Sequence, residues 1–162
     1  TLMAIAPTKS SSFIHGAVSM GIEPIKSNYF IKDLAKSKTV YKNPFLEAQL
    51  EKHGLNNTKT WQSILKKDGS VQHLDFPNKA VFKSFVEISP KEIVLQAAQR
   101  QKYIDQSQSL NLMIDPSVSA KDINKLYMYA WEEGVKTLYY QFSKSSAQDF
   151  ARNILECSSC EG

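Results

Sequence analysis

The sequence predicts an α/β chain with helices in the majority, and three observations carry that prediction. Helical periodicity with matching start and stop residues recurs after Asn43, Ser89 and Ser119. Apolar runs without that periodicity lie near 2–6 and at the end of 103–114. Of the 162 residues 42% are hydrophobic and 22% charged, the composition and size of one ordinary globular domain.

The elements follow in order. Leu2 to Ala6, closed by Pro7, fits a buried strand. Thr8-Lys9-Ser10-Ser11-Ser12-Phe13-Ile14 comes next as a turn dense in hydroxyls. Two readings stand there: hydroxyls, the N–H groups of a helix start and one cation together suit a phosphate group, and a Ser/Thr cluster equally well just caps a helix. Gly16, Gly21 and Pro24 break any long helix, so 19–24 reads as an irregular loop. Tyr29 to Ile31 and Thr39 to Tyr41 predict a short hairpin. Asn43-Pro44 through His53-Gly54 is a helix with an Asn cap, Pro at its first position and Gly as its stop. A second helix covers Thr60 to Lys67 with Trp61, Ile64 and Leu65 on one face, before Asp68-Gly69 turns the chain. Helical spacing returns at 78–87 and at 90–103, the latter started by Ser89-Pro90 and burying Ile93, Val94, Ala97 and Ala98. Residues 103–114 alternate polar positions into an apolar end, as a strand running into an interior does. Asp115-Pro116 turns it, and Ser119 or Asp122 caps a helix whose core face is Ile123, Leu126, Tyr127, Ala130 and Trp131, up to Gly134.

Beyond that helix stands Gly134-Val135-Lys136-Thr137-Leu138-Tyr139-Tyr140-Gln141, with two adjacent tyrosines. Neighbouring side chains point to opposite faces of a strand and diverge by about 100° on a helix, so these rings stack only at a bend or a strand end. Taken alone, the pair also suits two amphipathic aromatics at the rim of a core, each hydroxyl reaching a partner. Small and polar residues follow, and the terminus carries the two cysteines of the chain, Cys157 and Cys160. A C-x-x-C on such a terminus suits thiol–disulfide exchange, because the attacking thiolate is reachable and the resolving thiol adjacent. A structural zinc site wants about four ligands, and the three histidines, His15, His53 and His73, have no matching spacing, so no metal site is expected.

The net charge of +4, from 20 basic and 16 acidic residues, is scattered, without a run of about five like charges, so no nucleic-acid partner is expected. No apolar run approaches the ~20 residues that span a bilayer, and the opening has no signal-peptide pattern, so a soluble cytoplasmic protein without a membrane partner is expected. The chain starts at Thr1 and runs straight into an apolar segment, which points to a piece of a larger protein.

Several stretches then fall into one order: Leu2-Met3-Ala4 leading to Pro7-Thr8-Lys9-Ser10-Ser11-Ser12, Gly21-Ile22-Glu23-Pro24, Gly69-Ser70-Val71-Gln72, Ile104-Asp105-Gln106-Ser107-Gln108-Ser109-Leu110-Asn111, Gly134 to Tyr140, and the Cys157/Cys160 pair. In that order they resemble, over essentially the whole chain, the C-terminal part of the large, catalytic subunit of class I ribonucleotide reductase. The resemblance implies the closing portion of a ten-stranded α/β barrel at 1–141 and a flexible redox tail at 142–162. It implies that Thr8, Lys9, Ser10, Ser11 and Ser12 bind the substrate diphosphate, Lys9 standing where family members vary. Tyr139 and Tyr140 would relay oxidising equivalents from the small subunit to an active-site cysteine. Cys157 and Cys160 would re-reduce the active-site disulfide and be recharged by thioredoxin or glutaredoxin. The thiyl-radical cysteine, its redox partners and the domain that reads ATP and dATP belong upstream in the family. The chain is therefore expected to bind no cofactor itself, to be inactive and poorly soluble alone, and to need the rest of the large subunit and a small subunit carrying the metal and radical. Two other readings stand beside this one: a free-standing thiol–disulfide carrier built on Cys157 and Cys160, and a phosphate-binding interaction module built on Thr8 to Ser12.

Overall fold

The computed structural model describes residues 2–16, 19, 21–34 and 37–143. The chain divides into two units, one spanning Thr8–Ile88 and one joining Thr1–Pro7 to Ser89–Gly162.

In the Thr8–Ile88 unit, α1 (Lys9–Ile14) starts directly after the Thr8 hydroxyl residue. The hairpin strands β1 (Tyr29–Leu34) and β2 (Ser37–Lys42) pair antiparallel from Tyr29↔Lys42 to Leu34↔Ser37, longer at both strands than the sequence suggested. The Asn43 side chain accepts from the N–H groups of Phe45 and Leu46 and so caps α2 (Pro44–Lys52), with Pro44 at its first position. Asn57 caps α3 (Thr58–Lys66) by accepting from Thr60 N–H. Leu46, Leu50, Trp61, Ile64, Val71 and Phe76 form one buried cluster. Leu65 does not join the buried face with Trp61 and Ile64; it sits one helical step, about 100°, past Ile64 and is partly exposed.

Fully buried Asn28 ties this unit together. Its Nδ2 donates to Gly69 O at 2.9 Å and to Phe82 O at 2.7 Å, and its Oδ1 accepts from Asn43 Nδ2 at 2.9 Å. The cap of α2, the turn after α3 and the chain near Phe82 thus share one satisfied amide. Gly69 adopts φ +80°, and a Cβ there would lie 2.7 Å from Ser27 Cα. The helical spacing at 78–87 resolves into two separate 3-10 turns, Lys79–Phe82 and Phe85–Glu87. Asn78 precedes the first with a left-handed φ of +59°, and Lys83 leaves it with ψ 131°, so no single helix crosses the stretch.

In the other unit, α4 (Pro90–Gln101) buries Ile93, Val94, Ala97 and Ala98 as the periodicity indicated. It packs against both β3 (Leu112–Met113) and α5 (Ala120–Glu132), which Ser119 caps by accepting from Asp122 N–H. β3 pairs in parallel with β4 (Gln141–Phe142), and Ile5 forms an isolated parallel bridge with Gln108. Residues 104–114 therefore run between two neighbours. Ser107 O and Ser109 N–H bond Ile5 on one side, and Leu110 O and Leu112 N–H bond the 139–140 stretch on the other. With α5 joining the second pair of extended segments, this is a strand–helix–strand arrangement of parallel type.

Two burial expectations change here. Leu2–Ala6 is paired but not buried, with Leu2 95% exposed, because it is bonded along one edge only among the described residues. On α5 the buried line is Leu126 and Ala130; Tyr127 and Trp131 sit about 100° further round and are exposed, Trp131 at 72%. Among the described residues, no helix is long and apolar enough to cross a membrane.

Candidate functional site

The chain reaches Tyr139 and Tyr140 through a short loop after α5. Gly134, at φ +80°, ends the helix in a left-handed conformation, with its N–H on Trp131 O at 3.0 Å and Val135 N–H on Ala130 O at 3.0 Å. Thr137 Oγ1 then donates to Gln108 O at 3.2 Å, laying the segment beside residues 108–114. Gln108 is itself fixed: it is buried, and its Nε2 donates to Ala97 O on α4 at 2.8 Å and to Gln101 Oε1 at 3.1 Å.

The ladder between 108–114 and 137–142 is not regular. In a regular parallel pair, one residue sends its N–H and its C=O to the residues on either side of its opposite number. Tyr139 N–H donates to Leu110 O at 2.8 Å, but it is Tyr140 O that accepts from Leu112 N–H, at 2.9 Å. Tyr139 and Tyr140 together therefore face Asn111, which is a β-bulge. Beyond it the register is regular, Leu112 opposite Gln141 and Met113 opposite Phe142. Regular alternation would send the two rings to opposite faces; the extra residue removes that alternation. Their centroids are 4.2 Å apart at an interplanar angle of 55°, with Phe142 6.2 Å beyond Tyr140. The rings meet at the start of β4, one of the places where adjacent tyrosines can do so.

The hydrogen bond with Tyr140 is the leading cause, and its charge the next, that holds the Tyr139 phenol above its ordinary range. Tyr139 is 48% and Tyr140 59% exposed, so neither ring is a filled core position. Such a pair presents two adjoining phenol rings with little packing around them.

The other candidate residues lie elsewhere in the chain. Thr8 directly precedes α1, Lys9 and Ser10 begin it, Ser11 is exposed and Ser12 buried. Ser12 N–H makes the bond to Thr8 O at 2.9 Å, so the donors ahead of it belong to the open first turn. These five residues fall in the Thr8–Ile88 unit and the tyrosines in the other. Cys157 and Cys160 lie outside the described residues. Among the described residues, no group of three or more His, Cys, Asp or Glu side chains is arranged to hold a metal ion.

Comparison with known proteins decides the family. The family model described as "Ribonucleotide reductase, barrel domain" matches residues 1–141. The chain belongs to that ribonucleotide reductase family. Its sequence is 40% identical over 155 residues to the ribonucleoside-diphosphate reductase large subunit of Invertebrate iridescent virus 6, covering 90% of this chain and 16% of that protein. To the subunit alpha of Chlamydia trachomatis it is 36% identical over 148 residues, covering 90% of this chain and 14% of the relative. Among solved structures it is similar to the Actinobacillus ureae class Id ribonucleotide reductase alpha subunit, with 53% identity, a TM-score of 0.76, and coverage of 86% of this chain and 26% of that one. The chain thus spans well under a third of the length of these relatives. The ribonucleotide reductase family accounts for the parallel segments and helices as a portion of an α/β barrel.

Sequence reasoning on this ribonucleotide reductase chain singled out the tyrosines without the residue that faces them. Asn111 stands opposite the bulge, and its Oδ1 accepts from Tyr140 N–H at 3.3 Å. Only the register between 108–114 and 137–142 reveals that relation, and register is a property of two segments about thirty residues apart.

Proposed function

We propose that this chain is the C-terminal part of the large subunit of a ribonucleoside-diphosphate reductase, a cytoplasmic enzyme that reduces ribonucleoside diphosphates to deoxyribonucleoside diphosphates. The observation that carries the proposal is the contact of the Tyr139 and Tyr140 rings, with centroids 4.2 Å apart, within a chain of this family. A phenol held protonated gives up its electron and its proton together. When an oxidised neighbour is in hydrogen-bond contact, one phenol becomes a phenoxyl while the other phenoxyl becomes a phenol, and the atoms and charge balance across the pair. Removing the hydroxyl while keeping the ring stops that exchange, because phenylalanine has no O–H to lose.

In this reading Thr8, Lys9, Ser10, Ser11 and Ser12 hold the substrate diphosphate through hydroxyls and the open first turn of a helix. Cys157 and Cys160 carry reducing equivalents to the active-site disulfide and receive them from thioredoxin or glutaredoxin; tethering supplies an effective thiol concentration on the order of millimolar. The remainder of the large subunit supplies the thiyl-radical cysteine and the ATP and dNTP effector site, and the small subunit supplies the metal and radical cofactor.

The test is reconstitution. This chain is mixed with the N-terminal part of a matching large subunit and a small subunit, and CDP reduction is assayed with dithiothreitol or thioredoxin. Activity is expected only when the chain is present. Tyr139→Phe and Tyr140→Phe are each expected to lower turnover by at least about a thousandfold, the loss of an obligatory step rather than of one hydrogen bond. Wild-type turnover in either variant overturns the radical-transfer role and favours a thiol carrier built on Cys157 and Cys160.

A further inference from the structure

The bulge raises a question of hydrogen bonding that the tyrosines alone do not answer. Two residues opposite one leave one N–H without a ladder carbonyl. Leu110 O is taken by Tyr139, so the surplus N–H is that of Tyr140. Asn111 Oδ1 accepts it at 3.3 Å, so the side chain of the residue opposite the bulge supplies the acceptor that the strand cannot.

We propose that Asn111 is a positioning residue for the Tyr139–Tyr140 pair, acting through the Tyr140 peptide. The inference rests on the radical-transfer reading above. Four contacts fix the Tyr140 backbone and its neighbours: Tyr139 N–H on Leu110 O, Tyr140 N–H on Asn111 Oδ1, Leu112 N–H on Tyr140 O, and Ile114 N–H on Phe142 O at 2.8 Å. Asn111 provides the only side-chain bond among them. The rings are about half exposed, so burial does little to hold the pair together, and the direction of the Tyr140 Cα–Cβ bond is set mainly by its peptide. Proton transfer between phenols needs hydrogen-bond contact, so a peptide rotation that parts the rings by an ångström ends it.

The geometry also states which side chains can serve. The acceptor must be an oxygen two bonds from Cβ, which Asn and Asp have and Leu lacks. Asn111 flanks Leu110 and Leu112, both buried, so its own backbone is held by the interior. The bulge has a firm side, the 108–114 segment against α4, and a soft side, the two tyrosines.

The test uses the assembled reductase, with the large subunit containing this chain and its small subunit. Asn111→Leu removes the acceptor at nearly constant volume, and Asn111→Asp restores an oxygen at the same place. Turnover is normalised to folded enzyme from the melting amplitude. Asn111→Leu is expected to lower kcat for CDP reduction about ten- to a hundredfold with KM for CDP unchanged, the size of effect that follows about 1 Å of misplacement. Asn111→Asp is expected to recover most of that loss. Normalised kcat in Asn111→Leu within twofold of wild type overturns the inference. So does an equal loss in Asn111→Asp, or a rise in KM that accounts for the whole defect. Tyr140→Phe, measured beside them, separates the two claims: its inactivity with a fully active Asn111→Leu leaves radical transfer standing and removes only the role of Asn111, whereas an active Tyr140→Phe removes both.

Discussion

Asp105 shows what one carboxylate does for this fold. Its two oxygens accept from Leu2 N–H at 2.6 Å and Met3 N–H at 2.7 Å, and its own carbonyl accepts from Lys136 Nζ. The bond from Met3, then that from Leu2, holds the Asp105 carboxyl below its ordinary range. A depressed pKa in the folded chain means that this stabilisation is present above the ordinary aspartate pKa, about 4, and is lost as pH falls through the lower folded value. Urea midpoints of wild type and Asp105→Asn are accordingly expected to differ most at neutral pH and to converge as acid protonates the carboxylate; a constant difference would show that the carboxylate charge is not what matters. Asp105 stands inside a stretch the sequence marks as strand, yet its partners lie 102 and 103 residues away, so no local pattern shows the pairing. The tyrosines were legible by type and Asn111 was not, for the same reason: residue chemistry is written at one position and hydrogen-bond partnership at two.

At the scale of elements, what was legible is what short-range rules govern. Asn43-Pro44, Ser89-Pro90 and Ser119 start helices where capping physics puts them, and the hairpin at 29–42 pairs as its β-formers suggest. The 78–87 stretch has helical spacing but not a helix, because Asn28 takes Phe82 O and the chain turns away at Lys83. The turn at Gly69 couples an element's geometry to its neighbour: a left-handed φ and an approach of 2.7 Å to Ser27 Cα both exclude a side chain. Gly69→Ala is expected to cost about 2 to 4 kcal/mol, strain and overpacking together, read as a lower thermal midpoint. Gly134→Ala has the same sign of φ and nothing within 4 Å, so it is expected to cost only about 1 to 2 kcal/mol. A larger loss at Gly134 than at Gly69 would mean that close approach, not φ, is the lesser effect.

At the scale of the molecule, the sequence indicated an α/β barrel portion through a resemblance, and the family match bears that out. Patterning could not say which apolar side chains stay uncovered, since Tyr127 and Trp131 carry the same periodic signature as Leu126 and Ala130. Leu2, Met3, Tyr127, Met128 and Trp131 are all exposed in the unit that holds the tyrosines. The isolated chain is therefore expected to bind a hydrophobic dye, and the rest of the large subunit to suppress that binding; dye-free behaviour of the chain alone would mean these side chains need no cover. The division of the chain has a temporal side as well. Thr8–Ile88 is a separate unit interposed between the Leu2–Ala6 strip and the Ser107–Ser109 groups that bond it. Synthesis runs from the N-terminus and domains tend to fold as units, so the inserted unit is complete before the Ser107–Ser109 groups that bond the strip have been made. Until Gln108 has left the ribosome, the edge of Leu2–Ala6 that Ser107 and Ser109 will bond stays open, the kind of edge on which chains stick to one another.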